Sequence, residues 1–416
     1  MNEVSDKTSD TQAGAVRPKV MVLTHSLSPV DGVGVYGTNT LRFLAPLCDG
    51  ISVYIGRKHR GLGAELPRTG VTVYEVLPTD HFPFLSWPKL AWLLVSSLPM
   101  LVRAARRADV VHSFSDYPMG FVATLVGLLA RRPVVVSGHG TYSVAPCSMP
   151  FHRRLIGWMY ARADRFVMGA NFALTQVRRV ATPAAPEVVP YGCVPDDYGV
   201  LAARGTLPEV PEPYVLCVGE VKQRKGYTSS LPAFLAAWKQ RPEMHFVIVG
   251  RFVEEDPYYL QLCEWVKEAG AEQAVHFVGN VTEGRKVALM RGARVFMLTP
   301  MTSAEGGFEA FGLVFLEAGA AGTPVVGVTD SGAEDAISDG MNGFLHDRAD
   351  VEGLAGSLVR LFADERLAEE MGAAGRRRAE GQTWANAATR VAQIYGEVLA
   401  ARRGPASSGV GTESSP

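Results

Sequence analysis

EAFGLVFLEAGAAGTPVVG, running from Glu309 to Gly327, is the stretch from which the rest of the chain can be read. It sets Glu309 and Glu317 eight positions apart around a Phe-Gly turn. Gly312 has no Cβ, so the backbone at Phe311-Gly312 can approach a ligand closely. Leu313, Phe315, Leu316 and Ala320 follow at helical spacing, which predicts a helix starting near Gly312. A run of small residues and a buried strand after Gly322-Thr323-Pro324 complete the unit. The N–H groups at such a helix start suit an anion, and a carboxylate in the first two turns gains from the positive helix end. Glu317 is placed for that, with two oxygens that can accept from vicinal hydroxyls such as those of a ribose. Glu309 precedes the helix and points from a loop. The combination describes a site for a nucleotide-sugar diphosphate. The plainer reading, two solvated glutamates at the ends of an amphipathic helix, leaves the turn and the following strand without a reason.

Outward from this stretch, short β-branched runs alternate with longer helical patterns. PKVMVLTHS, SVYIG, VTVYEVL, DVVHSF and PVVVSGHG read as buried parallel strands in the first half. YVLCVGE, HFVIVG, VHFVGN, RVFMLTP and PVVGVTD repeat the pattern in the second. This is the signature of an α/β chain with two Rossmann-like, doubly wound domains. In such sheets ligands bind beyond the carboxyl ends of the strands, so two of them facing each other would form a cleft. The Pro-rich passage from Val189 to Pro213 reads as the hinge. The predicted organisation is a tail over 1–16, an N-terminal acceptor domain over 17–192 and a C-terminal donor domain over 193–385. A final helix over 386–402 is expected to pack back on the first domain, with a second tail over 403–416.

At 416 residues the chain is long enough for two domains. A hydrophobic content of 47% with 20% charged residues indicates a globular protein. The polar start lacks the apolar core of a signal peptide. The five cysteines are widely spaced, with no C-x-x-C, and read as reduced thiols of a cytoplasmic chain. A net charge of −1 hides an asymmetry. Arg17 to Pro190 carries 19 Lys and Arg against 9 Asp and Glu, whereas Tyr191 to Arg403 carries 21 against 29. The basic half suits an anionic substrate or anionic lipid headgroups; mutual attraction of the two halves is the competing account. Nucleic acid is disfavoured, because no basic-aromatic stripe accompanies the charge. FPFLSWPKLAWLLVSSLPMLV, from Phe82 to Val102, has Lys89 and three prolines inside it. Its uninterrupted part is shorter than the roughly 20 residues of a spanning helix. It reads either as a packed helix or as a surface-inserted element with Trp87 and Trp92 at the headgroup level. The second reading extends the localisation to a peripheral position at the inner membrane face.

Other candidates gather at strand ends. In SLSPVDGVGVYGTNT, Gly32 and Gly34 free the backbone before a helix and could cradle a diphosphate or a sugar. With Gly37 they also match a dinucleotide G-x-G-x-x-G. A dehydrogenase, however, should show an acid about 20 residues on, and SVYIGRKHR ends in Gly56, Arg57 and Lys58. His112 follows DVV and reads equally as a structural residue. His139, between two glycines at a strand's carboxyl end, could bond a sugar hydroxyl or face a leaving group. In VGEVKQRKGY, Gly219 ends a strand, and Arg224 and Lys225 could neutralise charge on a departing diphosphate. The chain has no D-x-D, so a metal and a cofactor are not expected.

These residues closely resemble the retaining glycosyltransferases of family four, which have the GT-B fold, over about Lys19 to Ala385. The resemblance implies that Glu309 and Glu317 are the family's E-x7-E pair, Glu317 holding the ribose and Glu309 approaching the donor sugar. It implies that the amides of Phe311, Gly312 and Leu313 meet sugar and phosphate. It makes Gly32-Val33-Gly34 the glycine loop, His139 the active-site histidine and Lys225 the clamp lysine. The arginine usual after the strand's glycine is Glu220 here, with Arg224 as its substitute. The activity implied is transfer of a hexosyl group from a UDP- or GDP-sugar, with retention and without metal. The hydroxyl acceptor would be a glycan, glycolipid or polysaccharide precursor, read around Ser113 to Met119 and Gly140 to Pro150. Backbone near Val278 to Val281 would meet the base. Other GT-B activities (a sugar-nucleotide epimerase, or a phosphorylase) and a non-catalytic nucleotide-sugar-binding scaffold are the alternatives.

Overall fold

A computed structural model describes residues 17–28, 31–57, 66–67, 69–78, 85–195, 210–303 and 307–403. The strands, in chain order, are β1 Lys19–Leu23, β2 Gly50–Gly56, β3 Val71–Leu77, β4 Val110–Ser113, β5 Val134–Gly138, β6 Arg165–Met168 and β7 Pro186–Val188. They continue as β8 Tyr214–Val218, β9 His245–Val249, β10 Val275–Gly279, β11 Val295–Met297, β12 Val325–Val328 and β13 Gly343–His346. The helices are α1 Gly32–Leu44, α2 Trp87–Ala105, α3 Met119–Ala130, α4 Thr141–Val144, α5 Pro150–Arg162, α6 Asn171–Val180 and α7 Tyr227–Trp238. They continue as α8 Pro257–Glu268, α9 Glu283–Gly292, α10 Leu313–Ala320, α11 Ala333–Ala336, α12 Val351–Ala363, α13 Glu365–Gly381 and α14 Trp384–Arg403.

The strands form two sheets, in the orders β3-β2-β1-β4-β5-β6-β7 and β10-β9-β8-β11-β12-β13. The pairings from β3 to β5 and throughout the second sheet are parallel. In each order the chain starts in mid-sheet, moves outward and then reverses, which is the doubly wound arrangement. The β-branched runs explain the strands. All five residues of β5 and of β8 are buried, as expected where helices cover both faces of a parallel sheet.

By compactness the chain divides into one unit of Met1–Ser137, Trp158–Phe166 and Ala388–Pro416, and another of Gly138–Gly157 and Val167–Ala387. The first holds His112 at no exposure. Its Nδ1 lies 2.6 Å from the Tyr395 hydroxyl and its Nε2 2.8 Å from Ser137 Oγ. Ser137 in turn lies 2.9 Å from the Tyr36 hydroxyl. Each ring nitrogen thus has a hydroxyl partner inside the core, and His112 is a structural residue that fastens α14 and α1 to β4. Among the described residues no helix is long and apolar enough to cross a membrane.

In the second unit the small-residue run after Glu317 has a packing reason. A Cβ on Gly319 would come within 3.1 Å of the Gly375 carbonyl oxygen. α10 therefore meets α13 almost backbone to backbone, which only glycine on both sides allows.

Candidate active site

α10 begins where the sequence predicts. Its N-cap is Gly312, at φ 73° in the left-handed region, where a side chain would be strained. A Cβ there would also sit 2.7 Å from the Phe315 ring. The loop before it is held from two sides. Gly332 donates its N–H to the Glu309 carbonyl at 3.0 Å, and a Cβ on Gly332 would lie 2.4 Å from the Phe311 nitrogen. Gly140, at φ 92°, leaves room for Ala310, which a Cβ would meet at 2.4 Å. Thr141 Oγ1 donates to the Phe308 carbonyl at 3.2 Å and accepts from the Phe308 N–H at 3.1 Å.

This brings His139 and the Glu309 loop into one unit. His139 is half-buried, and its Nδ1 lies 2.7 Å from the Tyr191 hydroxyl. That hydroxyl donates to the Gly138 carbonyl at 3.4 Å. The Tyr191 hydroxyl thus fixes the orientation of the imidazole through Nδ1. Tyr191 also packs edge-on against Phe311, with ring centroids 5.6 Å apart.

Lys225 closes the short turn Gln223–Lys225 after β8, and Gly226 takes φ 74° behind it. A Cβ on Gly226 would lie 1.6 Å from the Thr299 carbonyl oxygen, so the turn is pressed onto the end of β11. The Lys225 stem crosses Gly219, whose missing side chain leaves the space: a Cβ there would meet Lys225 Cδ and Cε at 3.1 Å. The N–H of Gly219 donates to Val249 and its carbonyl accepts from the Tyr227 hydroxyl. Its contribution here is room for Lys225.

Lys225 Nζ donates to Glu309 Oε2 at 2.6 Å, and Arg224 Nη1 reaches the same oxygen at 3.4 Å. Burial opposes ionisation of Glu309. The Lys225 and Arg224 charges, the Lys225 hydrogen bond and one from the Gly312 N–H outweigh it, and hold the carboxyl below its usual value. Glu220 turns elsewhere, to Lys222 at 2.8 Å and to Arg251. Desolvation raises its pKa, but those two partners bring it below the usual carboxylate value. Its charge is thus balanced by cations outside the Glu309 cluster.

Glu317 has a partner that the sequence reading did not single out. Lys286, on α9, donates to Glu317 Oε2 at 3.0 Å and lies 2.8 Å from Glu283. Burial lowers the affinity of Lys286 for its proton, yet the two glutamates more than reverse this and raise its pKa. Tyr191 was the other omission. The Tyr191–His139 and Lys286–Glu317 pairs span 52 and 31 positions, so no local pattern announces them.

Gly219, Arg224, Lys225, Glu309, Phe311, Gly312, Leu313, Glu317 and His139 all belong to the second unit. Gly32 and Gly34 belong to the first. They occupy the first turn of α1 itself, because Asp31 caps the helix by accepting from the Gly34 N–H at 2.8 Å.

Two doubly wound sheets, with this cluster gathered in the second unit, are the architecture of the GT-B class of sugar-transferring enzymes. Comparison with known proteins agrees. Residues 203–378 match the family described as "Glycosyl transferases group 1", and residues 31–192 match "Glycosyl transferase 4-like domain". A GDP-mannose-dependent alpha-(1-6)-phosphatidylinositol monomannoside mannosyltransferase of Mycolicibacterium smegmatis is 29% identical over 310 residues, covering 71% of this chain and 80% of that one. The alpha-maltose-1-phosphate synthase of the same organism is 26% identical over 411 residues, covering 92% and 100%. Among solved structures, Anabaena HepE in complex with UDP superposes with a TM-score of 0.71 at 17% identity, covering 91% and 100%. The chain belongs to the family-four type of GT-B glycosyltransferases.

Proposed function

We propose that the second unit binds a GDP- or UDP-sugar and that the enzyme transfers its hexosyl group, with retention and without a metal, to a hydroxyl of a glycolipid or polysaccharide precursor. The observation that carries the proposal is the pair of glutamates on either side of the α10 start, each kept beside a lysine: Glu309 with the buried Lys225, Glu317 with the half-buried Lys286. An ionised carboxylate only accepts hydrogen bonds, which suits sugar and ribose hydroxyls. The relatives agree with a nucleotide-sugar donor: one is named for GDP-mannose, and the HepE structure holds UDP.

In this reading Glu317 accepts from the ribose and Glu309 from the transferred sugar. The N–H groups of Leu313 and its neighbours, at the positive end of α10, meet the diphosphate. Arg224 and Lys225 neutralise the charge that grows on the leaving oxygen, the kind of preorganised stabilisation that dominates many enzymes. His139 offers Nε2 to a sugar hydroxyl. The departing phosphate takes the acceptor proton as the acceptor attacks from the same face, so no second carboxylate is required as base.

Calorimetric titration with GDP, UDP, ADP and their common sugars, on wild type and Glu317→Ala, tests the donor site. One tight nucleotide, weakened on substitution, is expected. A folded protein that binds none of them would favour the scaffold reading instead. Chelation with EDTA is expected to leave turnover unchanged, and the anomeric configuration of the product, read by NMR, checks retention.

A further inference from the structure

Helix α2 buries one face and leaves a second apolar face open. Leu90, Leu93, Ser97, Leu101 and Ala105 are buried, at spacings of three and four. On the outside, Pro88, Trp92, Val95 and Pro99 also follow at spacings of four, three and four, drawing a line along the helix. Trp87 is 61% exposed, Trp92 62%, Val95 76% and Met100 38%. Single exposed apolar side chains need no explanation, but an indole and a valine aligned with two prolines along one helix face, with a second exposed indole in the first turn, do. The line runs on into Arg103 and, just past the helix end, Arg106; Lys89 and Arg107 lie beside it, and all four are exposed. No acid occurs on α2. Beside its C-terminal half lies a groove of about 790 Å³, bounded by Met100, Arg103, Arg107 and the stacked rings of Tyr54 and Tyr74.

We propose that α2 docks the protein on an anionic lipid surface, with Trp87, Trp92 and Val95 entering the headgroup boundary and Arg103, Arg106 and Arg107 meeting lipid phosphates. An apolar face flanked by cations is what an interfacial helix requires, and indoles favour that level of a bilayer. At 19 residues the helix is about 28 Å long, enough to lie along the surface. Its inner face already packs on the protein, so docking does not have to order it. A second copy of the chain brings no acid on this helix to meet the four cations, whereas an anionic surface does. The assignment is independent of the sugar-transfer chemistry.

The test is flotation of the full chain with phosphatidylcholine vesicles, with and without phosphatidylglycerol, at low and high salt. Binding only to the anionic vesicles, reversed by salt, is expected, together with a blue shift of tryptophan emission and its quenching by brominated lipid. Trp92→Ser with Val95→Ser should lower partitioning about tenfold or more. Arg103→Gln with Arg106→Gln and Arg107→Gln should lower it by about fivefold per charge. Both variants should keep the wild-type unfolding midpoint, because the side chains they change are exposed. No binding to anionic vesicles at low salt overturns the proposal, as does undiminished binding by the Trp92–Val95 variant. A dimer in sedimentation that this variant dissolves, with no vesicle binding by wild type, would assign the face to a second copy.

Discussion

Replacing Glu317 by Gln keeps the volume and one acceptor oxygen but removes the charge. Two consequences can be sized. Lys286 loses the charge of its partner at 3.0 Å yet keeps Glu283 at 2.8 Å. Removing one partner from a buried pair destabilises by about 3–5 kcal/mol; with a second acid still in contact, about 1–2 kcal/mol is the expected loss. The second consequence concerns the donor. A hydrogen bond to a charged group contributes about 1 kcal/mol more than one between neutral groups. Two ribose hydroxyls then make about 2 kcal/mol, or roughly thirtyfold in Kd. The discriminating assay is a cycle of four titrations: wild type and Glu317→Gln, each with the preferred nucleoside diphosphate and its 2′-deoxy analogue. If the carboxylate holds the ribose, the deoxy analogue loses affinity with wild type, and that loss shrinks about fivefold in the variant. An equal loss with both proteins refutes the ribose role, even if the variant binds more weakly, because the effect would then come from a displaced Lys286.

Four further outcomes follow from the same geometry. A carboxyl whose pKa is lower folded than unfolded stabilises the protein above its unfolded value, about 4.3, and this is lost as pH falls through the folded value. Glu309 is such a group, so the unfolding midpoint of wild type should fall below about pH 4.5 more steeply than that of Glu309→Gln. Tyr191→Phe removes the hydroxyl 2.7 Å from His139 Nδ1; kcat should drop by about tenfold with KM little changed and the pH profile displaced, whereas a merely structural role would move stability alone. Gly312→Ala meets both φ 73° and the Phe315 ring, and should destabilise by about 1–3 kcal/mol in denaturant titration while weakening nucleotide binding. Arg224→Ala should weaken binding of the nucleoside diphosphate more than that of the monophosphate in calorimetry; equal weakening of both would remove Arg224 from the diphosphate.

The fold was legible because its signal is local. Ten strands announced themselves as β-branched runs between helical patterns. The three that did not are β6, whose RFVM follows a charged stretch, β7, whose PEV opens on proline, and β13, whose GFLH has no β-branched residue. The glutamate pair was legible for the same reason: the Phe-Gly turn and the helix stripe lie within one stretch of chain. What holds the pair was not legible. Lys286 and Tyr191 reach their partners only through the sheet topology, and Gly219 gives space to a lysine stem, which no spacing rule foretells.

The cluster is charge-paired by the protein's own side chains, and this is a condition for the proposed chemistry. A buried carboxylate without a counter-ion would take up a proton and become a donor as well as an acceptor. Lys225 and Arg224 prevent that at Glu309. An ionised carboxylate has about four acceptor positions. Glu317 uses one for Lys286 among the hydrogen bonds described, which leaves room for two hydroxyls. Glu309 is more heavily engaged, by Lys225, Arg224 and the Gly312 N–H. The contacts differ in strength: Lys225 is buried, with its stem lodged over Gly219 and its ammonium at 2.6 Å, while Arg224 is more exposed and at 3.4 Å. Arg224 is therefore the group that an incoming diphosphate can draw away at least loss. Its departure would free a position on Glu309 for a sugar hydroxyl, so that one movement of a side chain would serve both the leaving group and the transferred sugar.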